Sequence, residues 1–446
     1  MNTQHLRQFR QLCRLYFGKE ARHLLPLLDA LASDHTAHTV PMLSLHPLPP
    51  YQYRTLYHTI HRFQPQPHIL YSLLQPAIPQ DHNLYCFGVD TTPYPRPYAH
   101  TLADRTFVFQ PTPIKGNKPV TIGHEYSLVY LLQRRPPKQP VWTLPLHAQR
   151  VPSDRSAQSV ACEQIQHLLQ HPPFQRALNL FVADAKYSSG KQFVRMPLSY
   201  ANAVCVVRLR SNSVLFLWAP RPDVRRRGRP RWYGQRLALN RLEQLPPWDA
   251  EAEEPVPEGG KWRVRVWRRT LRRGFVPLEG TLLCCERLDA QGERKDARPL
   301  WLWVVGERRG EVSPLEVFGW YRRRFDVEHT FRFLKRNLLL TAYQTPEGEQ
   351  EERWVGVVLL AYAQLFVVRD VQLVEVYGWW LSKVKRQEGG VRSPSQVQRV
   401  FGEIVKGLGE VEYVVTPRGR SPGRAIGFRL PARARHKVVR KGCRSA

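Results

Sequence analysis

The chain has 446 residues, and 67 Lys and Arg against 37 Asp and Glu give it a net charge of +30. A hydrophobic content of 42% with 12 tryptophans excludes a disordered polycation and allows roughly two to four domains with real cores. The cationic excess is mostly arginine and points to a polyanionic partner, nucleic acid above all, with ribosomal or membrane-surface binding as plainer alternatives.

The seven cysteines are Cys13, Cys86, Cys162, Cys205, Cys284, Cys285 and Cys443. They form no C-x2-C pair, so neither a zinc site nor a secreted-type disulfide framework is expected. The first residues lack an apolar core of signal-peptide length, and no run of about 18 apolar residues occurs. These features predict a cytoplasmic protein with no membrane partner.

Residues 1–80 read as short amphipathic helices broken by proline, a helical domain with a possible DNA-binding role. The texture then changes. LYCFGV (Leu84 to Val89) is a short apolar run ending in Asp90, followed by the breaker-rich TTPYPRP. EYSLVYLLQ and PVWTLPLHAQRV read as strands, SVACEQIQHLLQ as a helix, LNLFVA (Leu178 to Ala183) as a strand ending in Asp184, and NAVCVVRLR as a further strand. Apolar runs alternating with helical patterns predict an α/β core over 81–210, a buried sheet with helices on its faces.

Residues 211–305 read as a β-rich insertion. It opens on the basic RRRGRPR, whose Arg227, Arg229 and Arg231 resemble the core of an AT-hook or a generic phosphate-binding loop. WDAEAEEPVPEGG reads as an acidic linker. WRVRVWRR alternates, setting Trp262, Val264 and Val266 on one face and Arg263, Arg265 and Trp267 on the other. The second face is a candidate DNA surface or an ordinary salt-bridged strand. The core resumes over 306–375, and 376–446 form a C-terminal region. From Arg418 onward that region has ten Lys and Arg and no acid, which predicts a partly disordered basic tail.

The stretch WYRRRFDVEHTFRFLKRN surrounds Glu328 with cations. Ser313-Pro314-Leu315-Glu316 is a helix start with a cap and a capping-box glutamate, and the next break lies near Leu340, which puts Glu328 mid-helix. At about 100° per residue, Tyr321, Arg324, Glu328, Arg332 and Lys335 share one side. Trp320, Val327, Phe331, Leu334 and Leu338 form the core-facing stripe beside it, and Asp326 falls on the far side. An ordinary i, i+4 ion-pair network needs neither the tyrosine nor three cations around one acid. A phosphate backbone with a metal ion accounts for both. Asp90, Asp184 and Glu328 are then the candidate carboxylates for divalent ions in phosphodiester chemistry.

Tyr321, Arg324, Glu328 and Lys335 match the Y-(2)-R-(3)-E-(6)-K signature of DDE transposases from bacterial insertion sequences. GVDTTPY around Asp90 resembles that family's first acidic motif, and FVADAKYSS around Asp184 its second. The 143 residues between Asp184 and Glu328 match the β-rich insertion that precedes the family's last acid. The resemblance spans about residues 80–345. It implies a ribonuclease H-like catalytic core interrupted by the insertion, with Asp90, Asp184 and Glu328 holding two Mg²⁺ (or Mn²⁺) ions. It further implies contacts to DNA phosphates from Tyr321, Arg324 and Lys335, with Arg332 on the same stripe. A tryptophan among Trp232, Trp262 and Trp267 would stack on a flipped base. The implied activity is cut-and-paste transposition by a homodimer on the element's terminal inverted repeats and target DNA, in a bacterial, nucleoid-associated setting. The alternatives are a DNA-binding protein that has lost catalysis and another two-metal nuclease of the same fold.

Overall fold

The structure, a computed structural model, describes all residues except 1–2, 67–68, 111–118, 137, 190, 221–231, 258, 275–277, 371–390, 411–416, 418–424, 430 and 442–446. In chain order the elements begin with helices α1 (Gln4–Phe17), α2 (Ala21–Ser33), α3 (Tyr53–Arg62) and α4 (Ile69–Leu74). Strands β1 (Leu84–Pro95), β2 (Thr106–Phe109), β3 (Val120–Leu132) and β4 (Thr143–Arg150) follow. Then come α5 (Ala157–Leu169), β5 (Leu178–Ala183), α6 (Ala185–Ser189), α7 (Lys191–Arg195) and β6 (Ala203–Leu209). The insertion supplies β7 (Val214–Trp218), β8 (Tyr233–Ala238), β9 (Ala250–Pro255), β10 (Lys261–Leu271), β11 (Glu279–Leu288) and β12 (Leu300–Val305). Helices α8 (Pro314–Arg323), α9 (Phe325–Arg336), α10 (Gly348–Val367) and α11 (Pro394–Gly407) complete the order. The fold is mixed α/β, as the apolar patterning predicts.

The chain divides into two compact units. One comprises 80–90 and 161–325, the other 1–79, 91–160 and 326–446.

In the first unit the strand order runs β1-β5-β6-β12-β11-β10-β7-β8, with β9 also on β10. β1, β5 and β6 are parallel, and Leu84 to Val89 pair in register with Leu178 to Ala183. Their continuous apolar sequences suit strands covered on both faces. Phe87 stacks on Phe181 at 4.9 Å and meets Phe174 edge-on at 5.0 Å. β12 pairs antiparallel with β6, Trp301 opposite Leu209, so the insertion's strands extend the core's sheet.

WDAEAEEP, read as a linker, is instead largely strand β9. Its acids are poor strand formers, but they lie across from cations of β10. Lys261 pairs with Glu253 at 2.7 Å and Arg265 with Glu251 at 3.1 Å. Such cross-strand charge pairs stabilise an edge strand that propensity alone would reject.

The alternation of β10 holds for Val264 and Val266, both buried, and fails for Trp267. Trp267 is 2% exposed, donates from Nε1 to the Pro246 carbonyl at 3.0 Å and lies 5.9 Å from Trp301. The segment before β9 folds over this face and brings Trp248 beneath Arg265 at 4.3 Å.

In the second unit β3 lies between β2 and β4, with α9 and α10 on this layer. Phe331 of α9 meets Tyr130 at 5.6 Å, and Thr330 and Thr143 share a hydroxyl hydrogen bond of 2.8 Å. Trp142 packs against Tyr362 and Phe366 of α10. The acid Glu351, fully buried in α10, is satisfied by Arg96 at 3.2 Å, His124 Nδ1 at 2.7 Å and Tyr126 at 3.0 Å. His124 Nε2 donates to the Ala103 carbonyl at 3.0 Å, which ties the loop after β1 to the sheet. Among the described residues no helix is long and apolar enough to cross a membrane.

Trp267→Ala would remove a buried ring and its hydrogen bond. The expected loss of stability is about 3–5 kcal/mol, read as a lower urea midpoint, whereas a solvent-facing tryptophan would cost nearly nothing.

Candidate active site

Asp90 and Asp184 each follow the last paired residues of β1 and β5, Val89 and Ala183. Because the two strands are parallel and in register, the acids are the next residues after their pairing ends. β5 stops there, whereas β1 runs on through TTPYP, which the sequence presents as breaker-rich. For β5 this is the carboxyl end at which open α/β sheets bind ligands.

Asp184 also has a local task. Its Oδ1 accepts from the Lys186 backbone N–H at 2.9 Å and its carbonyl from Tyr187 N–H at 3.2 Å, which starts α6. Asp90 is held from the other side. Arg324 Nη1 donates to its Oδ2 at 3.0 Å, with both side chains largely buried. The ion pair relieves the repulsion of two adjacent carboxylates.

Tyr321 lies 5.8 Å from the Arg324 guanidinium, measured at the ring. Burial raises its hydroxyl pKa, while Arg324 and Arg208 pull it down and Asp184 pushes it up. Tyr321, Arg324, Arg208, Asp90 and Asp184 therefore act on one another within one unit. Arg208 was missed from sequence. It is the one charged residue within β6, AVCVVRL, and that break in an apolar strand was its signal.

The helix carrying Glu328 differs from expectation. The Ser313 cap is present, its Oγ accepting from Glu316 N–H at 3.2 Å. The helix then ends at Arg323, and α9 begins at Phe325. Arg324 N–H bonds to Tyr321 O at 3.1 Å, a tightened last turn, and its side chain goes to Asp90. Glu328 thus lies in the first turn of α9 rather than mid-helix.

Glu328 and Lys335 are half-buried and Arg332 is exposed. The apolar positions Val327, Phe331, Leu334 and Leu338 are buried as predicted. Asp326 is buried as well, gripped by Arg135 through two bonds of 3.1 and 3.3 Å, which occupies its oxygens. Burial lowers the Lys335 ammonium to about 8. Glu125 of β3 was also missed. It accepts from the hydroxyl of Thr91, the residue after Asp90, at 2.8 Å.

The candidate DNA residues of the insertion divide. Arg227, Arg229 and Arg231 lie outside the described residues. Arg263 is committed to the buried Glu286 at 2.9 Å, and Arg265 to Glu251 and, at 3.5 Å, Glu286. Trp267 presents no face to a ligand because it is core. Trp262 is half-buried, 5.1 Å from Phe318 and 4.3 Å beneath the Arg322 guanidinium. Trp232 is half-buried and accepts from Ala219 N–H through its carbonyl at 3.0 Å.

Residues 14–274 match the family described as DDE superfamily endonuclease, which is more than half of the 446 residues. The chain belongs to the DDE superfamily endonucleases. The matched segment includes Asp90 and Asp184 and ends before Glu328. A comparison with curated protein sequences finds no match. The α/β architecture with helical flanks agrees with a ribonuclease H-like core, and DNA is the substrate that membership in this family implies.

Endonucleases of this family generally depend on a divalent metal. Among the described residues no group of three or more His, Cys, Asp or Glu is arranged to hold an ion. The oxygen donors of Asp90 and Asp184 nonetheless suit one, because Mg²⁺ needs only one or two carboxylates and keeps several waters. The Arg324 guanidinium already places one positive charge on Asp90.

Lys335 sets a pH test. Its folded pKa lies below its unfolded value near 10.5, so the unfolded chain holds more protons between pH 8 and 10.5 and this side chain's contribution to stability rises there. Lys335→Met should be more stable than the parent at pH 7 by roughly 2 kcal/mol, with the gap closing by pH 10 in paired denaturation curves. A gap that does not change with pH contradicts the assignment.

Proposed function

We propose that the chain is a cut-and-paste DNA transposase of the bacterial insertion-sequence branch that carries the Tyr-Arg-Glu-Lys spacing. The observation that carries this reading is the position of Asp90 and Asp184 directly after the paired residues of two parallel strands, with Arg324 on Asp90. Asp90 and Asp184 offer hard oxygen donors for Mg²⁺ or Mn²⁺. Glu328 enters as the third carboxylate on the spacing Tyr321, Arg324, Glu328, Lys335. Two divalent ions, when bound, supply charge neutralisation on the phosphate oxygens and an acidified water.

The chain's own residues do the rest. Arg324 is a planar fork already on Asp90, and the same fork would suit a DNA phosphate were the carboxylate to hold a cation. The half-buried Lys335 ammonium regains its ordinary pKa beside a phosphate, so DNA binding takes up a proton near pH 8. The Tyr321 hydroxyl stays protonated and donates. Water attacks phosphorus at the element's end, the bond to the 3′ oxygen breaks, and a 3′-OH and a 5′-phosphate result. That 3′-OH attacks the opposite strand's phosphodiester, forming a hairpin as the bond to the flanking DNA's 3′ oxygen breaks. A second water cleaves the hairpin and frees the 3′-OH, which then attacks a target phosphodiester and displaces a target 3′ oxygen. Joining two ends calls for a homodimer on the terminal inverted repeats.

The test is Mg²⁺-dependent nicking of duplexes carrying the inverted repeats that flank the coding sequence. Asp90→Asn, Asp184→Asn and Glu328→Gln should each lower the rate by at least about a hundredfold while DNA binding persists. Nicking at the parental rate by any of the three removes that residue from the reaction. Wild-type protein that binds but never nicks favours a DNA-binding protein without catalysis.

A further inference from the structure

The basic tail offers a surface that the proposed chemistry does not use. Residues 431–441 form a segment without regular secondary structure that is fastened to the edge of the β2–β3 layer. His436 N–H bonds to His100 O at 2.8 Å, and Val439 N–H to Arg105 O at 2.8 Å. Val439 bridges Thr106 of β2 in parallel, and Arg105 Nη2 donates to His436 O at 3.2 Å. Lys441 makes a salt bridge to Glu125, and Arg433 lies 3.6 Å from Glu347. The disorder expected for the tail therefore does not extend to this segment.

The fastening uses backbone groups and the two outer cations, and it leaves the others outward. Arg435, Lys437 and Arg440 are exposed and have no acidic partner among the described residues. Arg435, Lys437 and Arg440 lie within six residues of one another on this fastened segment. A solubilising tail gains nothing from being held in this way, since ordering each residue costs conformational entropy. A fastened run of cations without acidic partners has a clear match in the closely spaced charges of a nucleic-acid backbone.

We infer that residues 433–440 are a sequence-independent clamp for the phosphate backbone of duplex DNA, with Arg435, Lys437 and Arg440 as its contacts. The inference rests on the reading of this chain as an enzyme acting on DNA. The run supplies affinity without base recognition, which suits contact with flanking or target DNA.

The experiment measures binding of the full chain to a fluorescent duplex of arbitrary sequence between 50 and 200 mM KCl. Removing three phosphate contacts with Arg435→Ala, Lys437→Ala and Arg440→Ala together should lower the slope of log affinity against log salt by about 2.7. The parent should then lose about fortyfold more affinity than the variant across that range. A slope lowered by less than about one overturns the clamp. The pair Arg435→Lys and Arg440→Lys should keep the parental slope, and a fall equal to that of the alanine variant would also overturn it. Asp184→Asn, which ends nicking under the proposed function, should keep the full slope. A parent that binds with the full slope but does not nick therefore fails the enzymatic reading and leaves the clamp standing.

Discussion

The register between β1 and β5 is the constraint on which the rest depends. Side chains alternate along a strand, so a slip of one residue would turn Asp90 or Asp184 to the other face. What fixes the register is largely apolar: Phe87 against Phe181 and Phe174, and six residue pairs with no charge among them. The hydrophobic core thus sets the separation of two carboxylates that would repel if left alone. Arg324 offsets that repulsion, and its position follows from the end of α8, where the last turn tightens at Tyr321.

The charge of the chain is not spent in one place. Several arginines serve the fold, among them Arg10 on the buried Asp29 at 2.7 Å, Arg96 on Glu351 and Arg263 on Glu286. Removing one partner of such a buried pair is costly because the other charge is left without compensation. The cations that remain for a polyanion are those without internal acids, and the fastened tail segment holds three of them. Net charge therefore identifies the class of partner but not the surface that meets it.

Much of this was legible in the sequence. The apolar runs 84–89 and 178–183 marked both strands, because buried parallel strands need continuous apolar residues, but not the continuation of β1 through the proline-containing TTPYP. The Ser313 cap was legible from local chemistry. The break at Arg324 was not, since neither glycine nor proline marks it and every residue around it tolerates a helix. Strand β9 was hidden because its stability comes from cations on another strand. Trp267 was misplaced because alternation reports one layer, and the chain before β9 covers the second. The fastening of 431–441 was not legible because it depends on backbone partners at His100 and Arg105, which composition cannot reveal.

The central claim is that Asp90 and Asp184 form a shared seat for a divalent cation, with Arg324 holding the charge in its absence. Titration of Mn²⁺ into the full chain, followed by the loss of the free-ion electron paramagnetic resonance signal, tests it without DNA or turnover. The account predicts that Asp90→Asn and Asp184→Asn each weaken Mn²⁺ binding at least about tenfold and that Arg324→Ala does not weaken it. Parental Mn²⁺ affinity in Asp184→Asn would contradict it.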